Sequence, residues 1–407
     1  MVAGEFQEVA HSGGHTFVTL RTETDGTRTF SIGWRHSLPT PAAVFAVWAL
    51  PQGAAVGNYP MQGIGVPVDP PPVPGCLPVF ISSDSEGRFG HQCPSCDTYW
   101  RSSGGAKICP YCGVTGGGYE FLTEAQARFV HYVCARLKQV QTSVEDGDYD
   151  IEDDRVAETV HAESERPPFY YAEQSQQKRF NCTECGSFND IIGRYGYCSV
   201  CGTRNDLHEL QEVTLENIRR DTNERGDHSQ RLVETVGAFD TFVRQYVRQV
   251  VNRIPMRSAR KGRLEKASFH NLENTAAELK AACDIDILGT LGAADRAFAV
   301  LMFHRRHVYE HNGGVADEKY LQDSGDAGVR LHQHMRETQE DAHRLIGLVS
   351  RMAKALHLGF HDIFPPEAFP IQIHRERQDR KARAAARPPN PNPPKAIRRV
   401  LSGKPDQ

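Results

Sequence analysis

No run of about 20 apolar residues occurs in the 407-residue chain, which argues against a membrane-spanning helix. The opening stretch "MVAGEFQEVAHSGG" also lacks a basic segment followed by an apolar one, so no secretory leader is expected and the cytosol is the predicted location. A large charge excess is missing too: 47 Lys+Arg against 51 Asp+Glu give a formal net charge of −4. That balance excludes a protein that coats nucleic acid by bulk charge and confines polyanion binding to local patches. Lysine is scarce, with eleven against 36 arginines, a bias that genome composition explains as well as phosphate recognition does. The length exceeds what one hydrophobic core usually organises, so a multidomain chain is expected.

What the sequence does have is cysteine in a pattern. Of eleven cysteines, Cys93, Cys96, Cys109 and Cys112 read C-x2-C-x12-C-x2-C, and Cys182, Cys185, Cys198 and Cys201 repeat that spacing. Each C-x2-C pair turns tightly enough for two thiolates to reach one ion, which suits tetrahedral Zn²⁺ at about 2.3 Å from each sulfur. Disulfides are the rival reading, but without a leader the thiols should stay reduced, and an odd total leaves one unpaired. "CPSC", "CPYCG" and "CSVCG" resemble the knuckles of zinc-ribbon proteins. Four thiolates close the coordination sphere, so two structural rather than catalytic Zn²⁺ ions per chain are expected. A sharper role, stacking and binding of RNA or DNA, would use Tyr99, Trp100, Arg101 and Lys107 in the first ribbon and Arg194, Tyr195 and Tyr197 in the second. The structural role is the favoured one. Cys134 is expected to be a buried small hydrophobe.

Along the chain, residues 1–75 read as a small β-rich module ("HTFVTL", "TRTFSIGW", "AAVFAVWAL") ending in a Pro/Gly-rich linker or irregular wrap over 51–75 ("VPVDPPPVPG"). Zinc ribbon 1 spans 76–120. A helix ("TEAQARFVHYVCARLKQV") and an acidic run ("EDGDYDIEDD"), taken as a solvated spacer, fill 121–166, and zinc ribbon 2 spans 167–212. The ribbons lie apart in sequence and are expected to be separate modules. Residues 213–373 carry long helical periodicities at "SQRLVETVGAFDTFVRQYVRQVVNRI", "NLENTAAELKAA", "AADRAFAVLMFHRRHVYEH" and "RETQEDAHRLIGLVSRMAKALHL", which predict an all-α bundle. Residues 374–407 form a basic, Pro-rich tail, with ten Lys/Arg against three Asp/Glu, expected to be disordered.

The third helical stretch ends in "HRRHVYEHNGG", residues 304–314. At about 100° per residue, Phe298, Leu301, Met302, Val308 and Tyr309 form an apolar stripe that includes Arg305. His304, His307 and His311 share the neighbouring stripe, Arg306 projects elsewhere, and Asn312, Gly313 and Gly314 suit a helix C-terminus. Helix-dipole compensation accounts for one protonated histidine there, not three. A metal held by His304, His307 and His311 is one alternative.

The stretch "RRHVYEHN" resembles the R-x4-6-H motif of HEPN domains, with Arg306, His307 and His311 in the matching positions. The resemblance covers roughly residues 213–373. It implies a bundle of four or five helices and metal-independent RNA cleavage to 2′,3′-cyclic phosphate ends. It also implies two motifs facing each other in a homodimer, and a frequent setting in toxin or antiviral-defence systems, with an antitoxin or other regulatory partner. The residue chemistry agrees. A histidine can take the proton of a ribose 2′-OH or give one to the 5′-oxygen, and a guanidinium grips phosphate in a fork. Arg306 and His311 lie about 140° apart around the helix, an awkward pair for a single chain. His307 would orient that pair or bind phosphate. The alternative is a non-catalytic zinc-ribbon RNA-binding scaffold or sensor that dimerises through the bundle.

Overall fold

A computed structural model describes residues 13–37, 43–61, 70–143, 145–161 and 172–386. Residues 62–69 of the predicted Pro/Gly linker and the tail beyond 386 lie outside the described residues. Among the described residues ten strands form three antiparallel sheets: β1 (Gly14–Thr22), β2 (Arg28–His36), β3 (Val44–Ala49), β4 (Ala55–Tyr59), β5 (Leu77–Ser82), β6 (Phe89–Gln92), β7 (Tyr99–Ser102), β8 (Gly147–Glu152), β9 (Gln177–Asn181) and β10 (Phe188–Ile192). Their orders are β2-β1-β8, β4-β3-β5 and β6-β7-β10-β9. The alternation in β1 turns Thr16, Val18 and Leu20 inward, onto α1 (Glu124–Gln141) and α2 (Asp153–His161). Thr123 caps α1 reciprocally with Gln126, and Phe129, Val133 and Leu137 then pack against Val18, Val47 and Val79. Each such fully buried side chain contributes on the order of 1.5–3 kcal/mol. Cys134 is fully buried in the same cluster.

Two expectations for this half are corrected. The acidic run is not a free spacer: Gly147–Glu152 is strand β8, paired with β1. Its charges meet partners across the sheet, Asp148 taking Arg21 at 3.0 Å and Asp150 taking His15 at 2.9 Å and Arg35 at 3.1 Å. Part of the predicted linker is likewise ordered, as β4 pairs with β3.

A third correction concerns the ribbons. In each, a strand before the first C-x2-C pairs with one after it, and β7 then pairs with β10, with Asp190 opposite Arg101, so both ribbons share one four-stranded sheet. The knuckles interlock as well: Lys107 and Ile108 donate their backbone N–H groups to Ser199, and Tyr197 donates to Pro110.

The helical region runs from α3 (Asp206–His208) through a π-helical stretch (Glu209–Leu215) into α4 (Glu216–Arg225). It continues with α5 (His228–Arg253), α6 (Ser258–Lys266), α7 (Leu272–Cys283), α8 (Ala293–His311), α9 (Glu318–Ser324), α10 (Gln339–Ile363) and α11 (Ala368–Ala385). The four long periodicities correspond to α5, α7, α8 and α10. Asp227, Asn271 and Thr338 cap α5, α7 and α10 through their side chains. Phe239, Val243 and Tyr246 of α5 meet Leu345, Val349, Met352 and Phe360 of α10, with Met302 and Phe303 of α8 closing the core. Ile108 and Tyr197 from the ribbons belong to this same core.

The tail expectation is corrected in part, because residues 374–385 are the end of α11. Ile371 packs on the second cysteine quartet, and Arg375 pairs with Glu184 at 3.0 Å, so the ribbon supplies the surface on which this helix forms. Among the described residues no helix is long and apolar enough to cross a membrane.

Candidate functional site

The two cysteine quartets each gather four Sγ atoms within 4.8 Å of one another. The residue after the second cysteine of each C-x2-C (Asp97, Gly113, Gly186, Gly202) is left-handed, which curls each turn so that both thiols face inward. Cys93–Cys112, Cys96–Cys109, Cys182–Cys201 and Cys185–Cys198 stand 3.7, 3.6, 3.6 and 3.5 Å apart. Four sulfurs about 2.3 Å from one ion sit about 3.8 Å apart on the edges of a tetrahedron, whereas a disulfide needs about 2.05 Å. All eleven cysteines are free, and each quartet can hold one metal ion.

The ribbon aromatics proposed to stack bases are otherwise engaged. Trp100 and Tyr197 are fully buried, Tyr99 is buried, and Arg101 is buried in an ion pair with Asp84. Lys107 pairs with Glu367 at 3.8 Å. Arg194 lies over Tyr195 at 5.4 Å and is the one cation–aromatic pair of the set with surface exposure. Trp100 therefore acts as ribbon core and Tyr197 as part of the bundle core, rather than as exposed stacking platforms.

The α8 motif is resolved into two opposite fates for adjacent arginines. Gly313 and Gly314, at φ 58° and 80°, stop α8, and the chain returns along it through α9 to a bridge between Val315 and His334. That return segment takes Arg305: Glu337 accepts from it twice at 3.1 Å and Asp326 at 2.8 Å, while Tyr309 donates to Glu337 at 2.7 Å. Glu337 is fully buried, so Arg305 neutralises it and has no fork free for another anion.

Arg306 faces the other way. It lines a cleft of about 420 Å³ together with His304, His307, His311, His270 and Lys319. Its side chain is 10% exposed and pairs with Glu310 at 2.5 Å, and its Nε has no hydrogen-bond partner among the described residues. The rings of His307 and His311 lie 4.6 Å apart, and His311, 55% exposed, has its Nε2 3.5 Å from Glu310. Burial, then the neighbouring His311 and Arg306, hold the His307 pKa below its usual value, so it is neutral near pH 7.

The cleft thus brings the three predicted residues together in one chain, despite their angular separation on α8. It adds His270, from the loop before α7, and Lys319 of α9, which sequence reasoning missed; no periodicity links a loop histidine to a distant helix. The alternative metal site is not formed. Among the described residues only the two cysteine quartets bring three or more ligand atoms within 4.8 Å, and His304, His307 and His311 do not converge on one point. Compared with family models, curated proteins and solved structures, the chain gives no match in any of the three.

Proposed function

We propose that the chain is a metal-independent endoribonuclease of the HEPN type, cleaving RNA to 2′,3′-cyclic phosphate ends, with Zn²⁺ in both cysteine quartets as structural ions. The observation that carries the reading is the shared cleft: Arg306, His307 and His311 line it together, while Arg305 is locked into carboxylates on the far side. Arg306 would bind the phosphodiester, replacing Glu310, whose carboxylate is the anion now on the guanidinium. His311, the more exposed histidine, would move the proton, and neutral His307 would orient the bound phosphate. Zn²⁺ would contribute only cohesion, since four thiolates leave no place for a water. A homodimer through the α8 face, and a toxin or antiviral-defence setting with a regulatory partner, belong to the same proposal.

A second reading, a non-catalytic RNA-binding scaffold or sensor, draws on one observation: Glu310 already occupies Arg306. Incubating the full chain with RNA separates the two. The nuclease reading expects cyclic-phosphate products that persist under mild chelation. It expects His311→Ala to slow cleavage by about 10²–10⁴-fold with folding intact, and Arg306→Lys to fail because lysine lacks the planar fork. Wild-type-like cleavage by His311→Ala would overturn the assignment, and RNA binding without cleavage would favour the scaffold.

A further inference from the structure

Transesterification moves two protons, one leaving the 2′-oxygen and one arriving at the 5′-oxygen, so a site with one mobile proton carrier is half a site. The second carrier was expected from a partner chain. The cleft contains another candidate, His270, delivered by the loop between α6 and α7 rather than by α8.

His270 is held as a working histidine would be. Asp240 of α5 accepts from the backbone N–H of Phe269 at 3.0 Å, which fixes the loop, and the same Oδ1 lies 3.8 Å from His270 Nδ1. Nδ1 is buried and has no hydrogen-bond partner among the described residues. The ring is nevertheless 36% exposed and lines the cleft, so its accessible edge is the Nε2 side. With Nδ1 buried beside a carboxylate and the ring open to the cleft, Nε2 is the nitrogen placed to exchange a proton there.

We infer that His270, oriented by Asp240, is a second catalytic residue of this cleft, so that each chain carries a complete acid–base pair and a dimer would hold two whole sites rather than two halves. The inference rests on the nuclease reading above. In the step, neutral His270 takes the 2′-OH proton at Nε2 and the 2′-oxygen attacks phosphorus. The P–O5′ bond breaks, and protonated His311 gives its proton to the 5′-oxygen; solvent then resets both rings. Arg306 holds the phosphate between them, and Asp240 is a positioning residue. The groups facing His270 are Asp240 and Arg244 on α5 and Arg306 and Glu310 on α8. Burial lowers its pKa first, Asp240 and Glu310 oppose that, and the two arginines reinforce it, which keeps the ring neutral for the base role.

The test uses the full chain, an RNA substrate and a readout of cyclic-phosphate product. His270→Asn keeps an amide donor toward Asp240 but cannot titrate, and it should lower kcat by about 10²–10⁴-fold, as His311→Ala does. Activity should rise with pH as the base deprotonates. Asp240→Asn, by removing the carboxylate that raises the His270 pKa, should move that limb to lower pH, a shift that a purely structural defect would not give. A 1:1 co-expressed mixture of His270→Asn and His311→Ala chains should stay inactive, because neither chain has both histidines. Restored activity in the mixture would show that the two histidines come from different chains and overturn the inference. So would near-wild-type cleavage by His270→Asn while His311→Ala is dead, or an unmoved limb in Asp240→Asn. If the wild-type chain cleaves no RNA, the nuclease reading itself falls and this assignment falls with it.

Discussion

At the residue scale, one step of about 100° along a helix separates two arginines with opposite tasks. Arg305 is bound by Asp326, Glu337 and Tyr320 and pins the return segment to α8, whereas Arg306 looks into the cleft. A second buried charge makes a measurable prediction in the β half. Asp153, fully buried at the start of α2, accepts from Thr16 at 3.0 Å, Trp34 at 2.9 Å and Ser82 at 3.2 Å. Burial outweighs these bonds and raises its pKa from 3.8 to about 6. The unfolded carboxyl ionises first as pH rises, so folding takes up a proton between those values. Stability is fully present below pH 3.8 and declines until about pH 6. The whole loss is about 3 kcal/mol at 1.36 kcal/mol per pKa unit. Asp153→Asn should remove this part of the pH dependence, and melting temperatures measured from pH 4 to pH 6 would check it; an unchanged slope would refute it.

At the scale of elements, the ribbons act as a joint rather than as appendages. Arg204, just after the second quartet, is buried, pairs with Asp206 at 2.8 Å and lies over the Tyr197 and Tyr246 rings, while its backbone N–H donates to His361 of α10. Tyr197 donates to Gln249 of α5 at 3.2 Å. Sequence separation alone would confine the damage of a lost cysteine to its own ribbon. The packing predicts the opposite for Cys198→Ser: lower melting of the helical signal in circular dichroism and earlier proteolysis within the bundle. Damage restricted to the ribbon would count against this coupling. Elemental analysis should find two metal ions per wild-type chain, and one or none would contradict the paired quartets.

At the scale of the molecule, the modest net charge confines any polyanion binding to local patches rather than the whole surface, and the proposal puts it in the cleft. The proposed homodimer would be seen by light scattering at micromolar concentration. A monomer that still cleaves RNA would remove the dimer and leave the one-chain histidine pair as the sufficient site.

The sequence by itself determined the metal-ligand sets, the four long helices, the β-like runs and the end of α8, because each is written in local spacing: C-x2-C turns, periodicities of 3.6 and 2, and glycine where left-handed backbone is needed. It also separated Arg305 from Arg306 by helix angle, though it could not say what each would meet. The rest is long-range pairing. An acidic run reads as solvated until basic residues of β1 and β2 lie opposite it, and Trp100 reads as exposed until His91 stacks on its ring and Phe121 meets it edge-on. Residues 374–385 read as tail until the second quartet offers Ile371 an apolar seat. His270 was invisible for the same reason: its neighbours Asp240 and Arg306 come from α5 and α8, and only the packing of those helices places a carboxylate behind its ring and a cleft in front of it.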